Sequence, residues 1–289
     1  MTPLDDLGPD FPAVLARVSS AVEERLGALW AERLASLQRY GAEVTAMASA
    51  ARDLTLRGGK RDRAALLAAA YAGVAPAAPI EPALRAGVAL ELLQTYLLIQ
   101  NDWMDRDDTR LGGASVHAAL AARLGGAHLG AASALLASDF AWNLAFDVLA
   151  SIELPPPRVV AAIRLFTRIH QDVVVGRQID LLGRAEDAEA MHARKTGSNT
   201  VRGPLLLGAA LAGAPAATLD ALERYAAPVG AAFQLRDDLL GTSGPTEETG
   251  KRLAGLCREA EELAAGLPVT PAARGWLAGA AAALAPKPS

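Results

Sequence analysis

Runs of alanine and leucine, interrupted only by single Arg, Glu or Gln residues and divided by short Pro and Gly breaks, leave this chain little choice but helix. ALELLQTYLLI, residues 89–99, is typical: it shows no strand alternation and is apolar around more than half of a helical circumference. Ala and Leu lead the helix propensity scale, whereas the β-branched and aromatic residues that strands prefer are thin outside Val. Aromatic residues make up 4% of a chain that is 52% hydrophobic. The punctuation predicts helices near 11–28, 31–53, 60–74, 80–104, 115–150, 157–183, 186–211, 216–241, 247–265 and 270–285. Helices this apolar belong inside a bundle or at a subunit interface. No repeat of about 20–50 residues and no linker is visible, so one all-α domain spanning residues 1–289 is expected.

Charge and cysteine usage narrow the function. The net charge is −4 with both signs mixed along the chain, so no global basic field attracts nucleic acid and no polybasic tail attracts lipid. The single cysteine, Cys257, excludes an internal disulfide framework and a multi-cysteine metal site, and a cytoplasmic home is the natural reading. MTPLDDLGPDFP lacks the basic start and apolar stretch of a signal peptide. No apolar run reaches the roughly 18 residues of a transmembrane segment; PLLLGAALAGAPAATL is short, is broken by Pro215 and reads as core.

Two of the oily helices end in acid. In IQNDWMDRDDTRLGG, residues 99–113, Asn101 and Asp105 lie one turn apart with Asp102 beside them; AFQLRDDLLG places Gln234, Asp237 and Asp238 at the end of another helix. Alone, each cluster reads equally as a solvated helix end. Converging, they would make an oxygen-only site suited to Mg²⁺ completed by substrate phosphates. RGGKRDR offers Gly58 and Gly59, then Lys60, Arg61 and Arg63 at a helix start, where free N–H groups favour an anion. MHARKTGSN adds Arg194 and Lys195. Two acidic platforms and two basic segments on one helical chain describe a diphosphate site.

At these residues the chain resembles the trans-isoprenyl diphosphate synthases, or polyprenyl synthetases. RGGKRDRAALLAAAYAG, ELLQTYLLIQNDWMDRDDTRLGGASVH, VVVGRQIDL, RKTGSNTVRGPLLLGAALAG and FQLRDDLLG occur in the family's order, across roughly residues 55–245. The resemblance implies a large antiparallel helical bundle of the isoprenoid synthase type with a central cavity, usually a homodimer. It implies three Mg²⁺ ions bridging two Asp-rich motifs to an allylic diphosphate, whose cation isopentenyl diphosphate attacks. By position, Asn101, Asp102, Asp105, Asp237 and Asp238 would serve the metal. Arg110, Lys195, Thr196 and Gln234 would face the allylic diphosphate, with Gln178 and Asp180 matching the GQxxD element at the same mouth. Gly59, Lys60, Arg63 and Gln94 would hold isopentenyl diphosphate. Tyr96, five residues before the first motif, would floor the elongation cavity, so that the expected product lies between farnesyl and geranylgeranyl diphosphate and leans to the latter.

The chain departs from the family pattern where Asn101 replaces the first Asp of DDxxD, where Leu111 replaces the second arginine of an Arg-Arg pair, and where Gly241 ends the second motif. Against the same pattern some tens of residues are absent near 244–245, as a deletion or as a loop outside this sequence. The leading expectation is a short-chain trans-prenyltransferase. The alternatives are a catalytically weak regulatory subunit of a prenyl synthase, which Asn101 and Leu111 suggest, and a class I terpene cyclase, which would have no use for Lys60 and Arg63.

Overall fold

Glycine punctuation and buried apolar stripes set the element boundaries in the computed structural model, which describes residues 7–183, 199–241 and 247–285. In order come α1 (Phe11–Leu37), α2 (Ala42–Leu56), α3 (Asp62–Val74), α4 (Glu81–Asp105), α5 (Val116–Leu124) and α6 (Ala127–Ala150). After these come α7 (Pro156–Leu181), α8 (Gly203–Ala212), α9 (Ala216–Gly241), α10 (Glu247–Ala265) and α11 (Pro271–Ala282). Among the described residues the sheet content is one antiparallel ladder of two residues a side, β1 (Thr109–Arg110) with β2 (Gly113–Ala114). The all-α class is the one the sequence predicts.

Three helix boundaries differ from expectation. The break expected near 28–31 is absent: α1 runs on to Leu37 because Leu26, Trp30 and Leu34, one turn apart, are all buried. That stripe outweighs the roughly 1 kcal/mol that Gly27 costs a helix. The chain breaks instead at Gly41, whose φ of 101° an L side chain rarely adopts. The single helix expected over 115–150 divides at the pair Gly125–Gly126, where Gly125 caps α5 in the left-handed conformation. Gly130 then meets Ala121 so closely that an added Cβ would stand 2.5 Å from its backbone nitrogen, a crossing one continuous helix cannot make. Of the helix expected over 186–211, the described part starts as a π-helical turn at 199–202 and passes into α8.

The chain forms two compact units. The first comprises the described residues of Met1–Val18, Asp62–Ala83 and Glu153–Ser289. In it α3 packs on α8 and α11, α7 and α9 pack on α8, and α10 packs on α9 and α11. Every residue of α8 is buried. Its Gly208 leaves room for the α3 backbone, since a Cβ there would come 2.2 Å from the Leu67 carbonyl oxygen. Two buried ring donors reach backbone carbonyls: Tyr225 Oη donates to that of Leu277 at 2.7 Å and Trp276 Nε1 to that of Gly8 at 2.9 Å. The second unit, Ser19–Arg61 and Leu84–Ile152, packs α6 against α5 and α2. Its core includes Trp30, Leu54, Leu90, Leu92, Leu93 and Ile99. α6 is the one helix among the described residues long and apolar enough to cross a membrane, with 44% of its most apolar window buried.

Candidate functional site

In the second unit the buried stripe of α4 carries its last turn to a single inward-facing carboxylate. Asp102 is fully buried, between half-buried Asn101 and exposed Asp105. Arg110 donates to Asp102 Oδ1 from Nε at 2.7 Å, places Nη2 2.6 Å from the same oxygen, and donates from Nη2 to Asp107 Oδ2 at 3.1 Å. Asp102 Oδ2 is buried without a hydrogen-bond partner. Burial pushes the Asp102 carboxyl above the ordinary carboxylate range, opposed by its bond to Arg110. A buried anion with one oxygen unsatisfied is costly unless something positive completes it. Asp102 Oδ2, the Asn101 carbonyl and the Asp105 carboxylate are all hard oxygen donors, so the platform fits a hard divalent cation. Among the described residues no three His, Cys, Asp or Glu side chains gather as a metal site, so water and substrate oxygens would have to complete the shell.

The segment after α4 is held by a residue the sequence reading did not single out. Arg57, at the end of α2, donates from Nη1 to the carbonyls of Arg110 at 2.9 Å and Ala114 at 2.8 Å. The hairpin turns through Leu111, φ 50°, and Gly112, φ 74°. His117 is a satisfied helix-start residue, 3.2 Å from Ser115 Oγ through Nδ1 and 3.5 Å from Asp108 through Nε2.

The glycine-rich loop divides its charges between solvent and core. Gly58 and Gly59 have φ of 140° and 127°. Lys60 is exposed, with its carbonyl accepting from Ser19 Oγ at 3.3 Å. Arg61, grouped with the anion-binding residues by sequence, turns inward at a φ of 58° and is buried. It donates to Glu91 Oε2 at 2.7 Å and to the Thr55 carbonyl at 2.9 Å. Arg61 therefore pins the loop to α4 and is not available to a substrate. Gln94, on α4, is half-buried. Tyr96 is buried with its ring 5.8 Å from Trp142, which lies 6.5 Å from Phe146. Burial raises the Tyr96 phenol above its ordinary value, against a hydrogen bond from Gln100.

The first unit carries the remaining candidates. Arg63, in the first turn of α3, donates to Thr200 Oγ1 at 3.2 Å. At the end of α7, Gln178 is exposed, whereas the preceding Arg177 is buried and bonded to Asp180 at 2.9 Å. On α9, half-buried Gln234 and exposed Asp237 lie three residues apart, and Arg236 stands 5.0 Å over the Phe233 ring. Lys195, Thr196 and the side chain of Asp238 lie outside the described residues. The structure thus brings Asp102, Arg110 and Asp107 together and sets Arg57 on the hairpin that holds them. Arg57 and Glu91 stand inside quoted segments, yet no local pattern marks which carbonyl or cation each would meet.

Residues 44–273 match the family model described as polyprenyl synthetase. The chain is 30% identical over 241 residues to a geranylgeranyl diphosphate synthase of Methanosarcina mazei, covering 82% of this chain and 67% of that protein. It is 34% identical over 220 residues to a (2E,6E)-farnesyl diphosphate synthase of Mycobacterium tuberculosis, covering 73% of this chain and 56% of that protein. Among solved structures, the geranylgeranyl pyrophosphate synthase of Corynebacterium glutamicum, complexed with isoprenyl diphosphate and magnesium, superposes with a TM-score of 0.85. At 24% identity, covering 93% of this chain and 98% of that one, this likeness shows the fold.

Proposed function

Because this chain belongs to the polyprenyl synthetase family, we propose that it is a short-chain trans-prenyltransferase. It condenses isopentenyl diphosphate with dimethylallyl, geranyl or farnesyl diphosphate, and its product lies between farnesyl and geranylgeranyl diphosphate, leaning to the latter. The observation that carries this reading is the fully buried Asp102, with one oxygen held by Arg110 and the other open, at the end of an apolar helix. Synthases of farnesyl and geranylgeranyl diphosphate among its relatives support this product range.

Asn101, Asp102, Asp105, Asp237 and Asp238 would hold Mg²⁺, three ions in this reading, which would supply the positive charge that stabilises a departing diphosphate. Arg110 fixes Asp102 by one oxygen and keeps the other turned away from the pair. Lys195, Thr196, Gln178 and Gln234, with the Nη1 of Arg110, face the allylic diphosphate. Gly59, Lys60, Arg63 and Gln94 hold isopentenyl diphosphate so that its double bond meets the allylic carbon. Water must be kept from the reacting carbons, since it would capture the cation. The proton lost from the new chain goes to the released diphosphate. The active form is a cytoplasmic homodimer, each chain a single isoprenoid-synthase-like domain.

The test is an incubation of the full chain with labelled isopentenyl diphosphate, each allylic diphosphate and Mg²⁺, followed by product sizing. Elongated product establishes both the activity and the chain length. Asn101 and Leu111, each lacking a charge that the family pattern carries, favour a second reading as a regulatory subunit. Binding of the allylic diphosphate without elongation at saturating Mg²⁺ would select it.

A further inference from the structure

We propose that Arg57 binds the diphosphate of the homoallylic substrate and supplies the guanidinium that position 111 lacks; this rests on the prenyltransferase reading above. Arg57 closes α2 immediately before Gly58, Gly59 and Lys60. Its Nη1 protons are both used, on the carbonyls of Arg110 and Ala114. The guanidinium lies against Gly113, where an added Cβ would stand 2.8 Å from Cζ and 3.0 Å from Nε. A side chain at position 113 would displace the guanidinium from this position. Among the described residues, Nε and Nη2 have no partner. Those two nitrogens form the edge by which an arginine meets two oxygens of a phosphate in parallel.

No carboxylate claims this edge. Asp102 and Asp107, acids of the same segment, are bonded to Arg110, and Asp108 faces His117 at 3.5 Å. Arg57 is half-buried and already anchored by two hydrogen bonds, so ordering it around an anion costs less than ordering a free surface arginine. Leu111, by contrast, is 50% exposed in a left-handed turn and offers no donor. A cation fixed between the hairpin that carries Arg110 and the loop that carries Lys60 is suited to an oxyanion. Its adjacency to Gly59 and Lys60 assigns that oxyanion to isopentenyl diphosphate.

The experiment uses the full chain with Mg²⁺ and reads the Kd of isopentenyl diphosphate by calorimetry and the KM of each substrate in turnover. Arg57→Gln is expected to weaken isopentenyl diphosphate about tenfold or more while the allylic KM moves less than about twofold. Adding Leu111→Arg to the Arg57→Gln variant is expected to restore most of the loss, which repair of a structural tie could not do from position 111. Arg57→Lys keeps a cation and a donor for the carbonyls, and an intermediate loss is expected even if Arg57→Gln does not fold. Equal weakening of both substrates, or no recovery with Leu111→Arg, overturns the assignment. A wild-type chain that binds isopentenyl diphosphate without elongating it sinks the prenyltransferase reading, and the calorimetric ratio then decides for or against Arg57. Absence of isopentenyl diphosphate binding to the wild type overturns both.

Discussion

Asp102 sits in surroundings that only half support its charged form. Its carboxyl titrates above the ordinary range, so the folded chain binds the proton more tightly than the unfolded one. Stability from this group is therefore present at low pH and falls as pH rises from the ordinary carboxylate range through the raised value. A cation placed on Oδ2 at neutral pH would reverse that loss. Asn101 is the neighbour that weakens such a platform, offering a carbonyl dipole where a charge would bind harder. Asn101→Asp is expected to tighten Mg²⁺ by about three- to tenfold and to enlarge the rise in Tm produced by Mg²⁺ with inorganic pyrophosphate. An unchanged Mg²⁺ dependence in both readouts would remove residue 101 from the metal shell. The spacing of Asn101, Asp102 and Asp105 was legible in the sequence because helix periodicity places residues four apart on one face. The fates of Arg61 and Arg57 were not, because an arginine's role depends on whether it finds a Glu91 or a backbone carbonyl far along the chain.

Helices here meet through glycine where the backbones come closest, and through aromatic rings where they stand apart. Gly208→Ala on α8 would drive a methyl into the Leu67 carbonyl, a contact with backbone that no rotamer relieves. A loss of about 2–3 kcal/mol is expected, read as a lower urea midpoint at unchanged slope. A shift under about 0.5 kcal/mol would show that α3 and α8 can part without cost. Along the seam of α4 and α6, Tyr96 is backed by Trp142 and Trp142 by Phe146. Tyr96→Ala is expected to lengthen the product by about one isoprene unit, with Trp142 as the next stop. An identical product distribution removes Tyr96 as the floor. Helix type and approximate span were readable from composition. Where helices bend back was readable only in part: the break expected beside Gly27, which has open space around it, is absent, and Gly125–Gly126 ends a helix inside the span 115–150 expected as one.

At the scale of the molecule, α6 is both a core element and an apolar surface. Leu129, Leu135, Leu136 and Phe146 are exposed along it, an unusual concentration for a helix facing water on all sides. In the homodimer proposed above, Leu136→Glu is expected to shift the chain from dimer to monomer in sedimentation at micromolar concentration; a sedimentation coefficient unchanged from the wild type would place the interface elsewhere. The first unit has a different vulnerability. α3 and α8 are distant in sequence, both are nearly or wholly buried, and each covers the other. Contacts between distant segments form slowly, and a helix this apolar has no stable solvated form. During synthesis α3 leaves the ribosome long before its partner exists, so its oily surface stays uncovered, and open to wrong partners, until α8 arrives.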